Sequence, residues 1–215
     1  MFPQNGSVPS RKARAKIRVN AVLWSRFLKE EWVETTVDKP VPNFHFKFMS
    51  FSFKFRDFFL PPKNVLKEVG IKPGFRVLDY GCGPGSYIIP LAELVGKSGK
   101  VYALDIHPLA IKSVQSIASK KQLTNVETIC SDCKTGLPDN SVDVVLLYDT
   151  LHTLSDPDRV LEELHRILKP NGILSFSSGG HMNADEILSK VTNRELFRLS
   201  RNGKFTYNFL TVKKE

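Results

Sequence analysis

A glycine-rich turn between two apolar stretches is the part of the sequence best suited to binding a ligand. The segment VLDYGCGPGSY, residues 77–87, contains an apolar stretch that ends at Asp79 and leads into a predicted helix. Glycine lets a ligand approach the backbone closely, and the N–H groups at a helix start are free to bind it. The next apolar stretch ends at Asp105, whose carboxylate can accept hydrogen bonds from both hydroxyls of a ribose. The glycines of the turn are Gly81, Gly83 and Gly85.

The spacing of these glycines distinguishes between two kinds of nucleotide ligand. A dinucleotide site carries the pattern G-x-G-x-x-G around its pyrophosphate, but Ser86 stands at the third glycine position here. Asp79 beside the turn would repel a pyrophosphate and attract the cationic amine of an amino acid. Both features favour a nucleoside with an amino-acid tail over a dinucleotide.

Polar residues after the predicted fourth strand are candidates for acid–base chemistry. The stretch YDTLH, residues 148–152, lies where the carboxyl ends of parallel strands open a pocket. His152 is a candidate general base because the unperturbed pKa of a histidine is about 6.5. Asp149 is a second candidate catalytic residue. Helix packing or capping would also explain either residue. His181, after the fifth strand, could reach the same pocket or lie in a plain loop. His107 is expected to be a loop residue.

From Gly74 onward, predicted strands alternate with predicted helices. The strands are apolar on both faces, as a buried parallel sheet requires, so we expect an α/β fold. Asp156 before Pro157 is typical of a helix start. The predicted strands are 75–80, 100–105, 125–130, 142–148 and 172–178, and the predicted helices are 86–95, 108–121, 157–168 and 184–192.

Turn-forming residues predict three further features. The pair Pro61-Pro62 predicts the start of a short helix over 63–69. The residues KPNG at 169–172 predict a helix stop followed by a turn. Asn202-Gly203 predicts a C-terminal β-hairpin with a type I′ turn.

Residues 44–59 hold eight of the fifteen phenylalanines. Their spacing fits both the alternation of a strand and the stripe of a helix, so periodicity leaves both open. Two roles are also open: an apolar wall of an acceptor pocket, with Phe48 or Phe51 against the acceptor, or packing on the sheet edge or at a dimer contact. Upstream, residues 11–34 have the apolar spacing of a helix, and residues 1–10 have the composition of a disordered tail.

The net charge of +9 is concentrated near the start of the sequence. Residues 1–29 contain seven Lys and Arg and no acid, whereas the remainder contains 24 basic and 22 acidic residues. Such an arm can bind nucleic acid or an anionic membrane surface, or it is a solvated tail. Its composition also resembles a mitochondrial presequence, so a mitochondrial matrix location stays open beside the cytoplasmic one that we expect.

Composition excludes several classes of protein. The 215 residues are 41% hydrophobic and 25% charged, which is typical of a globular protein. No apolar run approaches the roughly 20 residues that span a bilayer, so we expect no transmembrane segment. Three cysteines fit a reducing compartment, and the pair Cys130 and Cys133 lacks the further ligands that zinc needs, so we expect no metal.

Four segments together resemble the class I S-adenosylmethionine-dependent methyltransferases. They are VLDYGCGPGSY (77–87), ALDIHPLAI (103–111), CSDCKTGLPDNSVDVVLLYDTLHTL (130–154) and PDRVLEELHRILKPNGILSFS (157–177). Their order and spacing are similar to those of the small-molecule group that includes the ubiquinone and menaquinone C-methyltransferases. The resemblance implies a Rossmann-like, seven-stranded, mostly parallel sheet with helices on both faces and a C-terminal β-hairpin. It also implies a methyltransferase domain over 61–215, preceded by a basic, Phe-rich extension over 1–60 that could form a substrate lid.

The resemblance also implies a set of cofactor-binding residues. They are Asp79, Gly81, Cys82, Gly83, Asp105, Ile106, Asp132, Cys133 and Tyr148. The first four would line the methionine part of S-adenosylmethionine, and Asp105 would bind the ribose. Ile106 would pack on the adenine, the Asp132 carboxylate would accept from the adenine amino group, and the N–H of Cys133 would meet a ring nitrogen. The backbone of Tyr148 would face the amine of the cofactor.

Methyl transfer to a small, apolar or aromatic acceptor is the function that this resemblance implies. The tetrapeptide [N/D]-P-P-[Y/F], which marks amino-group methylation in related enzymes, does not follow the predicted fourth strand. An RNA methyltransferase that uses the basic arm is therefore the less favoured alternative. A module that binds the cofactor without catalysis is another alternative, and a nicotinamide oxidoreductase is a distant one. The oligomeric state is open.

Overall fold

The computed structural model describes residues 39–212, which lie in one compact unit, residues 36–215. The helix predicted over 11–34 falls outside the described residues, and the domain boundary predicted after residue 60 stays a prediction. The strands are β1 (Arg76–Tyr80), β2 (Lys100–Asp105), β3 (Val126–Cys130), β4 (Val142–Tyr148), β5 (Leu168–Ser177), β6 (Phe197–Asn202) and β7 (Tyr207–Thr211). The helices are α1 (Asn43–Phe59), α2 (Pro62–Leu66), α3 (Ile88–Val95), α4 (Pro108–Lys120), α5 (Pro157–Ile167) and α6 (Ala184–Thr192), with a 3₁₀ turn at Leu151–Thr153.

The seven strands form one sheet in the order β3-β2-β1-β4-β5-β7-β6. Strands β1 to β5 are parallel to their neighbours, and β7 and β6 add an antiparallel pair at one edge. The strand order reverses between β1 and β4, and the crevice at the carboxyl ends of such strands is where open α/β sheets bind ligands. The sequence-based prediction of a seven-stranded, mostly parallel sheet with a C-terminal hairpin is confirmed.

Alternate residues of the central strands pack into two separate apolar cores. Leu78 of β1 lies in a core formed with α5 and α6, while its neighbour Val77 lies in a second core formed with α2, α3 and α4. Both side chains are fully buried, and each such burial contributes about 1.5–3 kcal/mol. Helices therefore cover both faces of the sheet, as predicted. No helix among the described residues is long and apolar enough to cross a membrane.

The helix stop predicted before residues 169–172 is present, and these residues are part of strand β5. Helix α5 begins as expected, with the Asp156 side chain accepting a hydrogen bond from the N–H of Arg159. It ends at Ile167, and β5 starts at the next residue because Leu168 is buried and pairs with Val142. Because Val142 pairs with Leu168 and Val144 pairs with Ile173, residues 169–172 stand opposite Asp143 alone, and Asn171 among them has a φ of 62°. The turn-forming residues thus make an irregularity within the strand.

The hairpin between β6 and β7 is present, but the predicted type I′ turn is wrong. Neither Asn202 nor Gly203 has the positive φ that this turn requires at both positions. The connection spans residues 203–206 instead. The Glu68 carboxylate accepts hydrogen bonds of 3.0 Å from the backbone N–H groups of Lys204, Phe205 and Thr206. A distant carboxylate thus sets the shape of this loop.

The phenylalanine-rich segment is the helix α1, which resolves the alternative that periodicity left open. Phe46, at 5% exposure, is its best-buried phenylalanine and stacks on His107 with ring centres 4.5 Å apart. The short helix that follows the proline pair is also present, although α2 ends at Leu66, three residues before the predicted end.

Candidate functional site

The glycine turn follows β1 and requires glycine at each of its three positions. Gly81, Gly83 and Gly85 have φ values of 75°, 50° and 94°, which favour glycine. A side chain would also collide with neighbours, because a Cβ on Gly81 would overlap the Thr150 hydroxyl and one on Gly85 would lie 2.9 Å from Ile117. The turn therefore keeps its backbone exposed to whatever lies in the crevice above it.

Asp105 ends β2 and ties the next loop to the glycine turn. Its carboxylate accepts hydrogen bonds from the backbone N–H of Gly83 at 2.9 Å and from that of His107 at 2.7 Å. Burial raises the pKa of Asp105, although both hydrogen bonds lower it. Each oxygen keeps a free lone pair, so the carboxylate could still accept from two hydroxyl groups of a ligand.

Asp79 is a buried acid with an unsatisfied oxygen. Its residue is 2% exposed, and Oδ2 has no hydrogen-bond partner among the described residues. Burial and the nearby charge of Asp105 raise the pKa of Asp79 to about 7, while the charge of Arg56 opposes this rise. A buried carboxylate without a donor is costly, so this position favours a ligand that brings a positive charge.

Arg56 is a site residue that the sequence analysis missed. It projects from α1 and donates to Asp149 Oδ2 at 2.9 Å, and it also pairs with Asp57 at 3.1 Å. Burial opposes its charge, but Tyr87, Asp149 and Asp57 outweigh burial and raise the pKa of Arg56. Its guanidinium lies 4.6 Å from the ring centre of Phe53. The signal in the sequence was a single arginine within a phenylalanine-rich segment.

The inner face of α1 covers the glycine turn. The ring of Phe53 lies 3.6 Å from the position that a Cβ on Gly83 would occupy. Phe48 and Phe51, for which a pocket wall was one of two roles left open, are 45% and 69% exposed, and the pocket-wall role stays a prediction. Sequence spacing did not reveal which face would turn inward.

Asp149, one of the two predicted catalytic residues, lies at the end of β4 in a strained backbone conformation. Its φ is 53°, and its Oδ1 is buried without a hydrogen-bond partner among the described residues. Burial raises the pKa of Asp149, whereas the charges of Arg56 and His181 lower it. Gly179 after β5 has no room for a side chain, because a Cβ there would overlap this carboxylate.

The structure brings two histidines together at the same edge of the sheet. The rings of His152 and His181 stack with their centres 4.3 Å apart and an angle of 18° between the planes. Desolvation and the charges of His181 and Lys190 lower the pKa of His152 to about 4. His152 is therefore neutral at pH 7 and can act as a hydrogen-bond acceptor. Asp149 feels the charge of His181.

The residues predicted to contact an adenine lie beside β3. Asp132 is exposed, and its backbone C=O accepts a hydrogen bond of 2.7 Å from the hydroxyl of Tyr80. Cys133 is buried with its Sγ 3.7 Å from the C=O of Arg159, and Ile106 is half-buried. The free side chain of Asp132 and the partly open surface of Ile106 would suit an adenine, but this assignment stays a prediction.

The three cysteines are free thiols, and their surroundings differ. Cys82 is buried in the glycine turn, where burial raises its pKa. Cys130 is exposed at the end of β3, and its Sγ lies 3.9 Å from the C=O of Ile106. Among residues 39–212, no group of three or more His, Cys, Asp or Glu is arranged to hold a metal ion.

Tyr148 and His107 have structural partners. The backbone C=O of Tyr148 accepts from the Thr150 hydroxyl at 2.9 Å, and its own hydroxyl lies 2.8 Å from that of Ser175. His107 is buried, and its Nδ1 accepts from the N–H of Leu109 at the start of α4. His107 was expected to be a plain loop residue. It precedes α4, as expected, and its side chain also caps this helix.

The chain is similar to known methyltransferases. Residues 71–208 match the family described as a methyltransferase domain. A demethylmenaquinone methyltransferase from Geobacillus kaustophilus (strain HTA426) is 33% identical over 146 residues, which are 67% of this chain and 62% of that protein. Another, from Geobacillus stearothermophilus, is 35% identical over 130 residues, which are 60% of this chain and 56% of that protein. The chain thus spans less than two thirds of the length of these relatives.

Solved structures show the same fold. A SAM-dependent methyltransferase from Aquifex aeolicus has a TM-score of 0.61 and 32% identity, and the match covers 70% of this chain and 88% of that one. The [4+2]-cyclase SpnF has a TM-score of 0.56 and 24% identity, with coverage of 64% and 56%, and shares the fold alone. From the domain match and these relatives, the chain belongs to the methyltransferase-domain family.

Proposed function

We propose that the chain binds S-adenosylmethionine and transfers its methyl group to a small, apolar or aromatic acceptor. The observation that carries this proposal is the buried, unsatisfied Oδ2 of Asp79 beside the glycine turn. A cationic ligand at this point would supply the missing partner. With Asp105 at the end of the next strand, the two acids suit a ligand that has both an ammonium group and a ribose.

Asp79 and Arg56 are complementary to the amino-acid end of the cofactor. An amino acid carries an ammonium and a carboxylate on the same carbon, so it needs an acid and a base side by side. Asp79 is the acid, and Arg56 is close enough for its charge to lower the pKa of Asp79. In the proposed complex, Asp79 accepts from the ammonium and Arg56 donates to the carboxylate.

The acceptor would lie beyond the glycine turn, near Asp149 and the stacked histidines. The cofactor supplies a methyl group on a positively charged sulfur, which is already activated for transfer. The chain has to hold the acceptor in line with that group and exclude water. Neutral His152 can hydrogen-bond a hydroxyl of the acceptor, and Asp149, whose Oδ1 lacks a partner, can take up the proton that the acceptor releases.

A quinol-like ring is the acceptor that we favour within this class. The relatives from two Geobacillus species are named demethylmenaquinone methyltransferases, and they support an acceptor of this kind. A hydroquinone ring has two hydroxyls and a nucleophilic ring carbon, so deprotonation of one hydroxyl strengthens the attack on the methyl group. The imidazole of His152 and the carboxylate of Asp149 fit this need for a hydrogen-bond acceptor and a base.

The proposal is tested with radiolabelled S-adenosylmethionine and a reduced naphthoquinone that lacks its ring methyl group. We expect label in the organic phase with the unaltered chain and loss of transfer with Asp105→Ala. We also expect Asp105→Ala to weaken cofactor binding by at least about tenfold, since a ribose bonded to a charged group contributes about 1.5–3 kcal/mol. Arg198→Ala, on exposed β6, is the matched control. Tight binding without transfer to any quinol would contradict the acceptor and favour a non-catalytic module.

A further inference from the structure

Helix α1 presents a stripe of phenylalanines on the side that faces away from the glycine turn. The stripe consists of Phe44, Phe48, Phe51, Phe55, Phe58 and Phe59. Because an α-helix turns by about 100° per residue, these side chains fall within an arc of about 100° on one side of the helix. Phe44 is 75% exposed, Phe51 69% and Phe58 79%. Three more side chains of the stripe are also exposed, Phe48 at 45%, Phe55 at 48% and Phe59 at 58%.

The opposite face fixes the orientation of the helix. Phe46 is buried against His107, Phe53 lies against Gly83, and Arg56 bonds Asp149 on the end of β4. These contacts hold the inner face to the domain. The orientation of α1 is therefore fixed by its inner face, and the phenylalanine stripe faces outward because of these contacts.

The helix carries more basic than acidic residues. Asp57 is the only acid within residues 43–59, and Arg56 already pairs with it. Lys47 is exposed and lies one residue before Phe48 on the edge of the stripe. In the sequence before the helix, residues 1–29 contain seven basic residues and no acid, whereas residues 30–38 contain four acids and no basic residue.

We propose that α1 binds the surface of an anionic lipid bilayer, with its axis parallel to the membrane and the phenylalanine stripe between the lipid head groups. A helix with an aromatic face and basic flanks is typical of this arrangement. Lys47 and the basic residues of the first 29 would be attracted to the negative surface, and the rings would then leave water. This inference does not rest on the proposed methyl transfer.

The experiment is sedimentation of the full chain with vesicles. One set contains phosphatidylcholine alone, and the other contains about one quarter phosphatidylglycerol, which gives the anionic surface. We expect the chain to sediment with the anionic vesicles, and sedimentation to fall as salt increases. Removing two rings, with Phe48→Ser and Phe51→Ser together, should weaken the binding by at least about tenfold, because each ring loses most of its burial in lipid.

The control is Leu199→Ser, which removes an exposed apolar side chain from β6, far along the sheet, and should leave sedimentation unchanged. Circular dichroism and thermal unfolding verify that each variant is folded. Equal sedimentation of the double variant and the unaltered chain would overturn the proposal, since the basic residues alone would then explain binding. A chain that stays in the supernatant would also overturn it. So would a dimer in light scattering that the double variant loses, because a second copy would then cover the stripe.

Discussion

The guanidinium of Arg56 donates a hydrogen bond of 2.9 Å to the carboxylate of Asp149, 93 positions later in the chain. This bond joins α1 to the end of β4 directly above the glycine turn. It places a cation between two acids that would otherwise be buried without compensation, since Asp79 also feels its charge. The helix that precedes the sheet thereby becomes part of the candidate site.

Replacing Arg56 by alanine should weaken the binding of S-adenosylmethionine by about ten- to a hundredfold, the range expected for losing a hydrogen bond between charged groups. Arg56→Lys keeps the charge but not the planar fork, so it should lose less affinity. Calorimetric titration measures both, with Arg198→Ala as the control. An unchanged dissociation constant for Arg56→Ala would show that Arg56 only holds the helix in place.

Replacing Asp79 by asparagine should stabilise the protein without ligand while removing its affinity for the cofactor. The pKa of Asp79 is about 7 in the folded chain, against an ordinary value of about 3.9 for the unfolded one. The folded state thus holds the proton more tightly, so the contribution of Asp79 to stability is greatest below pH 4 and declines as pH rises to 7. That decline amounts to at most about 4 kcal/mol, since each pKa step corresponds to about 1.4 kcal/mol.

Urea unfolding of the two proteins at pH 5 and pH 8 measures this difference. At pH 8 the asparagine variant should be the more stable one, and the gap should shrink at pH 5. Calorimetry on the same samples should give weak or no binding of S-adenosylmethionine to the variant. A variant that is less stable at pH 8, or that binds the cofactor normally, would refute the assignment of Asp79 to the ammonium.

The affinity of the unaltered chain for S-adenosylmethionine should fall as the pH drops below about 7. Protonated Asp79 cannot accept from an ammonium, and its pKa in the free protein is about 7. The dissociation constant should therefore rise by about tenfold for each pH step below that value. Titrations between pH 5.5 and 8.5 measure it (about three pH steps in all). A flat profile would mean that the acid is not at the binding point.

Glu68 should contribute to stability through the loop that it binds. Its carboxylate accepts three backbone N–H groups from residues 204–206, and these bonds lower the pKa of Glu68 even though burial raises it. Glu68→Gln should cost about 1–2 kcal/mol at pH 7. A lowered acid pKa gives its full stabilisation above the unfolded value of about 4.3, so the difference should shrink as the pH falls from that value through the folded pKa. Unfolding by urea tests this, and exposed Glu195→Gln serves as the control.

Local patterns predicted most of the sheet and missed what depends on distant contacts. The strands β1 to β4 and the glycine turn follow from apolar runs and from residues with special φ, which are visible within about ten positions. The side of α1 that faces solvent cannot be predicted in this way. Phe48 and Phe53 are the same residue type in the same segment, and only packing against the domain distinguishes them. The same holds for Arg56 and Glu68, whose partners lie 93 and 136 or more positions away. Sequence spacing gives no information about such pairs.

Strand β6 stands at one edge of the sheet, and its exposed residues include Arg198 and Arg201 with a β-bulge between Leu199 and Arg201. Charges and a bulge on an edge strand hinder pairing with a strand of another molecule. The exposed phenylalanines of the described residues thus lie on helix α1, whose backbone N–H and C=O groups are hydrogen-bonded within the helix. The edge strand β6, whose outer backbone groups are unpaired, carries charged side chains instead. Copies that come into contact through the rings would associate reversibly, and growth of a continuous intermolecular sheet would be blocked at this edge.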